Sequence, residues 1–160
     1  MLSHDAEPVQ PKKVFLGADH AGFAAKELLK KHLIKGGYVV EDIGAKSLDD
    51  HDDYPKYAYF VATKVLGEEE GGARGILVCG SGQGMAMAAN KVRGIRAAVI
   101  WNIEGATETR QDNDSNVLSL PARFIDQATL EAVADAWLLA PFSGEKRHQR
   151  RIDEVEELYG

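Results

Sequence analysis

Five short apolar segments alternate with amphipathic segments along the chain, and this alternation constrains the fold more than any other feature of the sequence. The apolar segments predict strands at 14–19, 38–44, 74–80, 95–101 and 116–122. The third, RGILVCG, is apolar throughout its middle, as expected of a parallel strand that is covered on both faces. Strands that alternate with helices predict an α/β fold, a Rossmann-like three-layer αβα sandwich with a five-stranded parallel sheet and right-handed crossovers.

The longer segments between these strands carry apolar residues at intervals of three and four, which is the pattern of amphipathic helices. Glycine pairs at 36–37 and 71–72 follow the first two of them, and Asp53 and Pro55 begin the second. MAMAANKV and EGATETRQDND predict two shorter helices. The apolar positions of the four longer helices are Ala25, Leu28, Leu29 and Leu33; Ala58, Val61, Ala62, Val65 and Leu66; Leu130, Val133, Ala134, Trp137 and Leu138; and Ile152, Val155 and Tyr159.

The sequence contains no internal repeat, low-complexity tract or interdomain linker. Residues 12–160 are therefore predicted to form a single domain that ends in a helix at about 147–159. Residues 1–11 are interpreted as a disordered leader.

Composition argues against several classes of function. With 19 Lys and Arg against 25 Asp and Glu, the net charge is −6, so no nucleic-acid partner is expected. The single cysteine excludes an internal disulfide and a zinc site built from several cysteines, and it favours a cytoplasmic location. No segment has the apolar length of a signal peptide or a membrane span, so no membrane partner is expected.

Ligands of parallel α/β sheets bind at the carboxyl ends of the strands. Polar or glycine-rich sequences follow three of the predicted strands. They are GADHAG after the first, CGSGQG after the third and TRQDNDSN past the fourth. We expect all three to contribute to one pocket.

The stretch CGSGQG is a glycine-rich turn between a strand and a helix, where backbone N–H groups can approach an anion closely. Its spacing differs by one residue from the dinucleotide fingerprint, and the acidic residue expected about 20 positions later is absent. No Gly-Lys-Ser/Thr follows, so it is not a Walker phosphate loop. A nicotinamide cofactor is therefore not expected, and the turn either binds an anion or is purely structural.

Cys79 stands at the end of the third predicted strand, directly before this turn. A buried cysteine is usually inert. Here the nearby N–H donors and the following helix N-terminus are expected to lower the pKa of the thiol from its free value of about 8.5. A thiolate at this position would serve as a nucleophile or a general base.

Two further groups are candidates for substrate contacts. Asp19 and His20 follow the first strand and are either a helix cap with a surface histidine or a pair that binds a polyol. In EKRHQRR, Arg147 and Arg151 are four residues apart on one helical face, so they either bind a dianion together or belong to a solvated basic patch. Arg123, at the end of the fifth strand, is a further candidate.

Taken together, GADHAG, DYPKYA, CGSGQGMAMAANKVRGIRA, NDSNVL and PFSGEKRHQRRID resemble the ribose-5-phosphate isomerase B family, which includes the galactose-6-phosphate isomerase subunits. The resemblance extends in order from residue 13 to about residue 157. It implies an aldose–ketose isomerase that acts on a phosphorylated sugar through a cis-enediolate, with ribose 5-phosphate to ribulose 5-phosphate as the default reaction.

The resemblance also implies the roles of individual residues. Cys79 matches the base that moves a proton between C1 and C2 of the open-chain sugar, and the neighbouring backbone amides would stabilise the enediolate oxygen. No metal or organic cofactor is implied. The residues that match substrate-binding positions are Asp19, His20, Gly80, Ser81, Gly82, Gln83, Gly84, Asn113, Arg123, Arg147 and Arg151.

Members of the family are homodimers or dimers of dimers whose pockets combine two subunits. The resemblance therefore implies a homodimer with shared active sites, in which the stretch around Asn113 and Arg123 comes from the partner chain.

Asp112 departs from the family pattern, because a histidine that opens the furanose ring usually occupies this position. A carboxyl group with an ordinary pKa near 4 is a poor acid at neutral pH unless burial raises that pKa. One hypothesis is a substrate that needs little ring opening, such as a tetrose 4-phosphate; a hexose 6-phosphate is a further alternative. The other is that Asp112 opens ribose 5-phosphate, with help from His148 if the fold brings the two together.

Two other classes of function are left open. A non-catalytic sugar-phosphate-binding subunit is consistent with the missing histidine, although the retained Cys79 and arginines argue against it. A thiol-dependent hydrolase or redox protein is less consistent, because there is no C-x-x-C motif and the basic segment would have no role.

Overall fold

The computed structural model describes residues 13–160 and contains a five-stranded sheet in the order β2-β1-β3-β5-β4, in which all neighbouring strands are parallel. The predicted leader lies outside the described residues, as does the first residue of the predicted domain. The predicted three-layer α/β sandwich is confirmed. The strands are β1 (Lys13–Ala18), β2 (Val39–Gly44), β3 (Arg74–Cys79), β4 (Ala97–Val99) and β5 (Val117–Pro121).

Six α-helices connect and cover the strands, and a 3-10 turn at Glu69–Gly71 precedes β3. Within residues 13–160 no helix has both the length and the apolar character needed to cross a membrane. The helices are α1 (Phe23–Lys35), α2 (Tyr54–Gly67), α3 (Gln83–Ala89), α4 (Ile103–Asn113), α5 (Gln127–Leu139) and α6 (Lys146–Tyr159).

The two faces of the sheet pack against different helices. Because successive side chains of a strand point to opposite faces, Val78 joins the cluster that contains residues of α1, α4 and α5. Its neighbours Leu77 and Cys79 join the cluster that contains residues of α2 and α3. The end of β3 therefore directs the thiol towards the α2–α3 layer.

The fourth strand is shorter than the predicted 95–101. It lies at the edge of the sheet, and side-chain amides occupy the backbone groups at its start. The Asn90 side chain accepts from the Ala97 N–H and donates to its carbonyl, and Asn116 Oδ1 accepts from the Arg96 N–H. Such side-chain bonds stop further strand pairing at an edge.

The apolar faces of two helices differ from the prediction. In α1, Leu28 is half exposed, whereas Lys26 is fully buried, because its ammonium group donates to the Asp42 carboxylate and the Ala45 carbonyl. In α6, Val155 and Tyr159 are exposed. Burial of a helix residue is therefore set by its tertiary neighbours and not by its polarity alone.

Candidate active site

The carboxyl ends of three adjacent strands bring several predicted site residues together. Ala18 of β1 is in register with Val78 of β3, and Cys79 is in register with Pro121 of β5. The chain therefore continues from these strands into neighbouring loops. We call the residues at this edge the thiol cluster; it comprises Asp19, His20, Cys79, Gly80–Gly84 and Arg123.

The glycine turn folds back over the sulfur of Cys79. The Gly82 N–H donates to Cys79 Sγ over 3.1 Å, and the Gly82 carbonyl accepts from the buried Ser119 hydroxyl. Gly82 has a φ of 73°, a left-handed conformation that favours glycine. The residue type, the turn and the thiol are thus coupled by geometry.

The prediction of a lowered thiol pKa is wrong for the single chain. Burial raises the pKa of Cys79, and the negative charge of Asp19 acts in the same direction. Hydrogen bonds from the amides of Met85, Gly82 and Ser81 oppose this shift without overcoming it. The sequence identified the donors but not the desolvation, since Cys79 is only 5% exposed.

Arg123 contacts the glycine turn of its own chain. Its N–H donates to the Gly80 carbonyl over 2.9 Å, and the preceding Ala122 N–H donates to the Cys79 carbonyl. The guanidinium lies so close that a Cβ at Gly80 would be 2.8 Å from it. The expectation that Arg123 comes from the partner chain is therefore wrong, because β5 lies beside β3 and places Arg123 next to Cys79.

Asp19 and His20 are held by different partners. Asp19 is buried, and its Oδ1 accepts from the Gly22 N–H over 3.1 Å, which is close to the predicted capping role at the start of α1. His20 instead contacts Asp52 in the β2–α2 loop. Asp52 Oδ1 accepts from the His20 backbone N–H over 2.9 Å and lies 2.8 Å from His20 Nδ1.

The sequence analysis did not single out Asp52, which lies among the acidic residues between β2 and α2. The Asp52 carboxylate is fully buried and also accepts from the Tyr57 hydroxyl over 3.2 Å. Desolvation raises the pKa of Asp52, but the bonds from His20 and Tyr57 outweigh it and lower the pKa overall. The only local signal for Asp52 was its position directly before the DYP motif, after Asp49 and Asp50.

Asp19, His20 and Asp52 each offer a ligand atom, and these atoms all lie within 4.8 Å of one another. This is the donor chemistry of a metal site. His20 Nδ1 and Asp52 Oδ1 are already paired with each other by a hydrogen bond. That bond accounts for their proximity without an ion.

A second group of predicted residues lines a cavity of about 780 Å³ between the end of α4 and α6. We call it the α4–α6 cavity, and its lining includes Asp112, Asn113, His148 and Arg151. The buried His148 ring lies 3.7 Å from Asp112 Oδ1 through Nε2 and 2.9 Å from the Ser143 hydroxyl through Nδ1. The fold therefore does bring His148 to Asp112.

Arg147 does not join this lining, although it is on the same helix as Arg151. Its exposed Nε donates to Glu145 Oε2 over 2.7 Å. The joint contact of Arg147 and Arg151 with a dianion therefore stays a prediction.

The thiol cluster and the α4–α6 cavity lie at opposite edges of the sheet. Arg96, directly before β4, donates to the Asn113 carbonyl, and the first residues of β4 and β5 are in register with Gly75. Cys79 is four residues further along β3 than Gly75, which corresponds to about 13 Å of strand. The prediction that TRQDNDSN joins the pocket is therefore wrong within one chain, because α4 carries those residues back to the amino edge.

This pattern of site residues can be compared with known proteins. A model of the ribose/galactose isomerase family matches residues 14–155. The chain belongs to this family. The resemblance inferred from the motifs is thereby confirmed.

Members of the family with known names and structures align over nearly the whole chain. Ribose-5-phosphate isomerase B of Escherichia coli is 42% identical over 147 residues, which is 92% of this chain and 96% of that protein. The crystal structure of ribose-5-phosphate isomerase B from Mycoplasma genitalium with bound ribulose-5-phosphate has a TM-score of 0.87 and 39% identity, covering 91% of this chain and 94% of that one. The type B enzyme of Trypanosoma brucei has a TM-score of 0.85 and 42% identity, covering 91% and 97%.

Proposed function

We propose that the protein interconverts an aldose phosphate and its ketose phosphate, with ribose 5-phosphate and ribulose 5-phosphate as the default pair. The observation that carries the proposal is the position of Cys79 Sγ, at the carboxyl edge of the sheet beneath a turn of backbone amides. The bound ribulose-5-phosphate in the Mycoplasma genitalium relative supports the choice of substrate.

The chemistry requires a base beside the sugar carbons. The Cys79 thiolate removes the proton on C2 of the open-chain aldose, and the carbonyl electrons move onto O1 to give a cis-enediolate. The proton then returns to C1, and a second proton passes from the oxygen on C2 to O1. The Gly82 and Ser81 amides are engaged with sulfur, so they stabilise the thiolate, whereas the remaining amides of the Gly80–Gly84 turn serve the enediolate oxygen.

The positive charge that the substrate needs comes from arginines. Arg123 lies against Gly80 and would bind oxygens of the reacting end of the sugar. Arg151 and Asn113 are in the α4–α6 cavity and would bind the phosphate, with Arg147 joining them on substrate binding. Asp19 and His20 complete the contacts from the carboxyl edge.

These two groups act on one substrate only if two copies of the chain combine. In a twofold dimer the thiol cluster of one copy faces the α4–α6 cavity of the other, and symmetry creates the second site. The separation of the clusters within one chain supports this homodimeric arrangement. It also supports the partner as the source of Asn113, but not of Arg123.

Asp112 determines how the ring-opening step proceeds. His148 Nε2 lies 3.7 Å from the carboxylate, which is too far for direct proton transfer but close enough for transfer through one water, so the pair is a candidate for the role usually taken by one histidine. The second candidate is a tetrose 4-phosphate, whose phosphorylated O4 cannot close a furanose. The identity of Asp112 favours it.

Two measurements test the proposal. Purified protein of this single chain is assayed with ribose 5-phosphate, erythrose 4-phosphate and a hexose 6-phosphate, and kcat/KM is compared. We expect the pentose to be preferred; a clearly higher kcat/KM for the tetrose selects the alternative substrate. No turnover of any of them, with sugar phosphate still bound, indicates a non-catalytic subunit.

The base is tested in Cys79→Ala, which should bind sugar phosphate but lose a factor of about 10²–10⁴ in kcat. Retained isomerisation in this variant rules out the thiolate as the base. Thr63→Ala is the control, because it removes a hydroxyl that donates to the Phe60 carbonyl within α2, outside both groups of site residues, and it should keep most of the activity.

A further inference from the structure

The buried carboxylate of Asp52 makes three hydrogen-bond contacts beside the thiol cluster, and the proposed function assigns it no role. We propose that Asp52 is a positioning residue that fixes the His20 ring with Nδ1 turned towards the β2–α2 loop and Nε2–H presented to the sugar phosphate. The proposal rests on the proposed function, because His20 is assigned there as a substrate contact.

Asp52 holds His20 at two points. One oxygen, Oδ1, accepts from the backbone N–H over 2.9 Å and contacts ring Nδ1 at 2.8 Å. The other oxygen, Oδ2, accepts from the Tyr57 hydroxyl on α2. Because the carboxylate is fully buried and its two oxygens have different partners, it cannot rotate without losing a bond.

The order of the strands gives the orientation of the ring. β1 lies between β2 and β3, so the loop that carries Asp52 is on one side of His20 and the loop after Cys79 is on the other. A ring whose Nδ1 faces the β2 side has Nε2 on its opposite edge. Within residues 13–160, Nε2 of His20 has no hydrogen-bond partner, and the side chain is 34% exposed, so this nitrogen is accessible to a ligand.

Charge supports the same role. The hydrogen bond to Asp52 raises the pKa of His20; burial opposes the shift, and the charges of Asp19, Asp52 and Asp50 add to it. A protonated ring donates from both nitrogens, one to Asp52 and the other to an anionic oxygen. The charges that favour the protonated ring come from Asp52, Asp19 and Asp50, and burial acts against them.

A purely structural role is the alternative, since Asp52 also links the loop after β1 to α2. The two roles differ in what the isosteric variant Asp52→Asn should do. The Oδ1 of the asparagine can still accept from the His20 backbone N–H and from ring Nδ1–H, and its amide can donate to the Tyr57 oxygen. The contacts therefore remain, but the negative charge is lost. A structural role tolerates this change, whereas a role in holding His20 protonated does not.

The first experiment follows the His20 ring by NMR as pH is varied, in wild-type protein and in Asp52→Asn. The His20 signal, one of five histidines, is assigned with His20→Gln. We expect the pKa of His20 to be lower in the variant, with Nδ1 still the hydrogen-bonded nitrogen. An unchanged His20 titration would overturn the proposal.

The second experiment measures kcat and KM with ribose 5-phosphate over the same pH range. In Asp52→Asn, KM should rise about 10-fold near pH 7, as for removal of a carboxylate that orients a histidine ligand, with a much smaller change in kcat. The deficit should shrink at acidic pH, where His20 is protonated in both proteins. An unchanged KM would show that Asp52 is only structural, and a deficit in kcat/KM that is the same at every pH would also overturn the proposal.

The matched control is Asp135→Asn, which neutralises the carboxylate 2.8 Å from His32 on the α1–α5 surface. It should leave kcat and KM unchanged. If the wild-type protein itself turns over no sugar phosphate, the proposed function fails. The part of the inference that concerns Asp52 and the protonation of His20 is still decided by the NMR titration.

Discussion

Two inactive variants should restore activity when they are combined, provided that their substitutions lie in different halves of the proposed site. Cys79→Ala removes the base from the thiol cluster, and Arg151→Ala removes a guanidinium from the α4–α6 cavity. In a hybrid dimer, one site receives its thiol from the Arg151→Ala chain and its arginine from the Cys79→Ala chain. That site is intact, and the other site carries both substitutions.

The size of the recovery follows from the geometry. Alone, Cys79→Ala should lower kcat/KM by a factor of about 10²–10⁴. Arg151→Ala should lower kcat/KM by a factor of about 10–10², because a charged hydrogen bond contributes about 1.5–3 kcal/mol. Random pairing of equal amounts makes about half of the dimers hybrid, each with one intact site of two, so about a quarter of wild-type activity should return.

The assay is isomerisation by variants that are co-expressed or refolded together, with hybrid formation verified by two affinity tags. Cys79→Ala combined with Asp19→Asn is the control, because both changes are in the thiol cluster and no site becomes intact. Arg123→Ala should complement Arg151→Ala but not Cys79→Ala. Verified hybrids of Cys79→Ala and Arg151→Ala without recovered activity would refute the shared site.

Because burial raises the pKa of Cys79 and the base acts only when deprotonated, kcat/KM should increase with pH to beyond about 8.5, the ordinary thiol value; a flat pH profile below that value would contradict the assignment. Gly80→Ala places a Cβ 2.8 Å from the Arg123 guanidinium, so kcat/KM should fall about 10²-fold with an unchanged midpoint of urea unfolding; full activity would show that Arg123 is not needed where it lies. Trp137→Ala should lower the free energy of unfolding by about 3–5 kcal/mol, because the ring is fully buried and its Nε1 donates to the Ser115 hydroxyl. Denaturant titration measures this change, and a loss below about 1 kcal/mol would contradict the burial.

Local patterns were sufficient for the strands and for most helices, since the periods of two and 3.6 depend only on which face of an element is buried. They also identified the glycine turn, because a strand followed by closely spaced glycines has few structural meanings. The pKa of Cys79 was predicted in the wrong direction because desolvation depends on the layer of α2 and α3 that covers the thiol. The α2 part of that layer reaches the thiol only through tertiary structure, which no residue near Cys79 in the sequence encodes.

Asp52 illustrates a different limit. Its partner His20 is 32 residues away, and the two meet only because β2 pairs with β1 and places the following loops side by side. In the sequence, Asp52 is one of several acidic residues in a polar loop. Only the buried carboxylate with three donors distinguishes it from Asp50 and Asp53.

The division of the site follows from the direction of the chain in a parallel sheet. A residue at the end of a strand or directly after it, such as Cys79 or Asp19, lies at the carboxyl edge, whereas a residue at the end of a crossover helix, such as Asn113, lies at the amino edge. The helix that follows a strand has to return the chain to the start of the next parallel strand. No adjustment of loops therefore brings the carboxyl and amino edges of the sheet together. Functional residues in both positions therefore require either two separate sites or a second copy. Under the proposed function the thiol and the arginines of the α4–α6 cavity act on the same sugar phosphate, so the proposal needs the second copy, and the hybrid dimers test it.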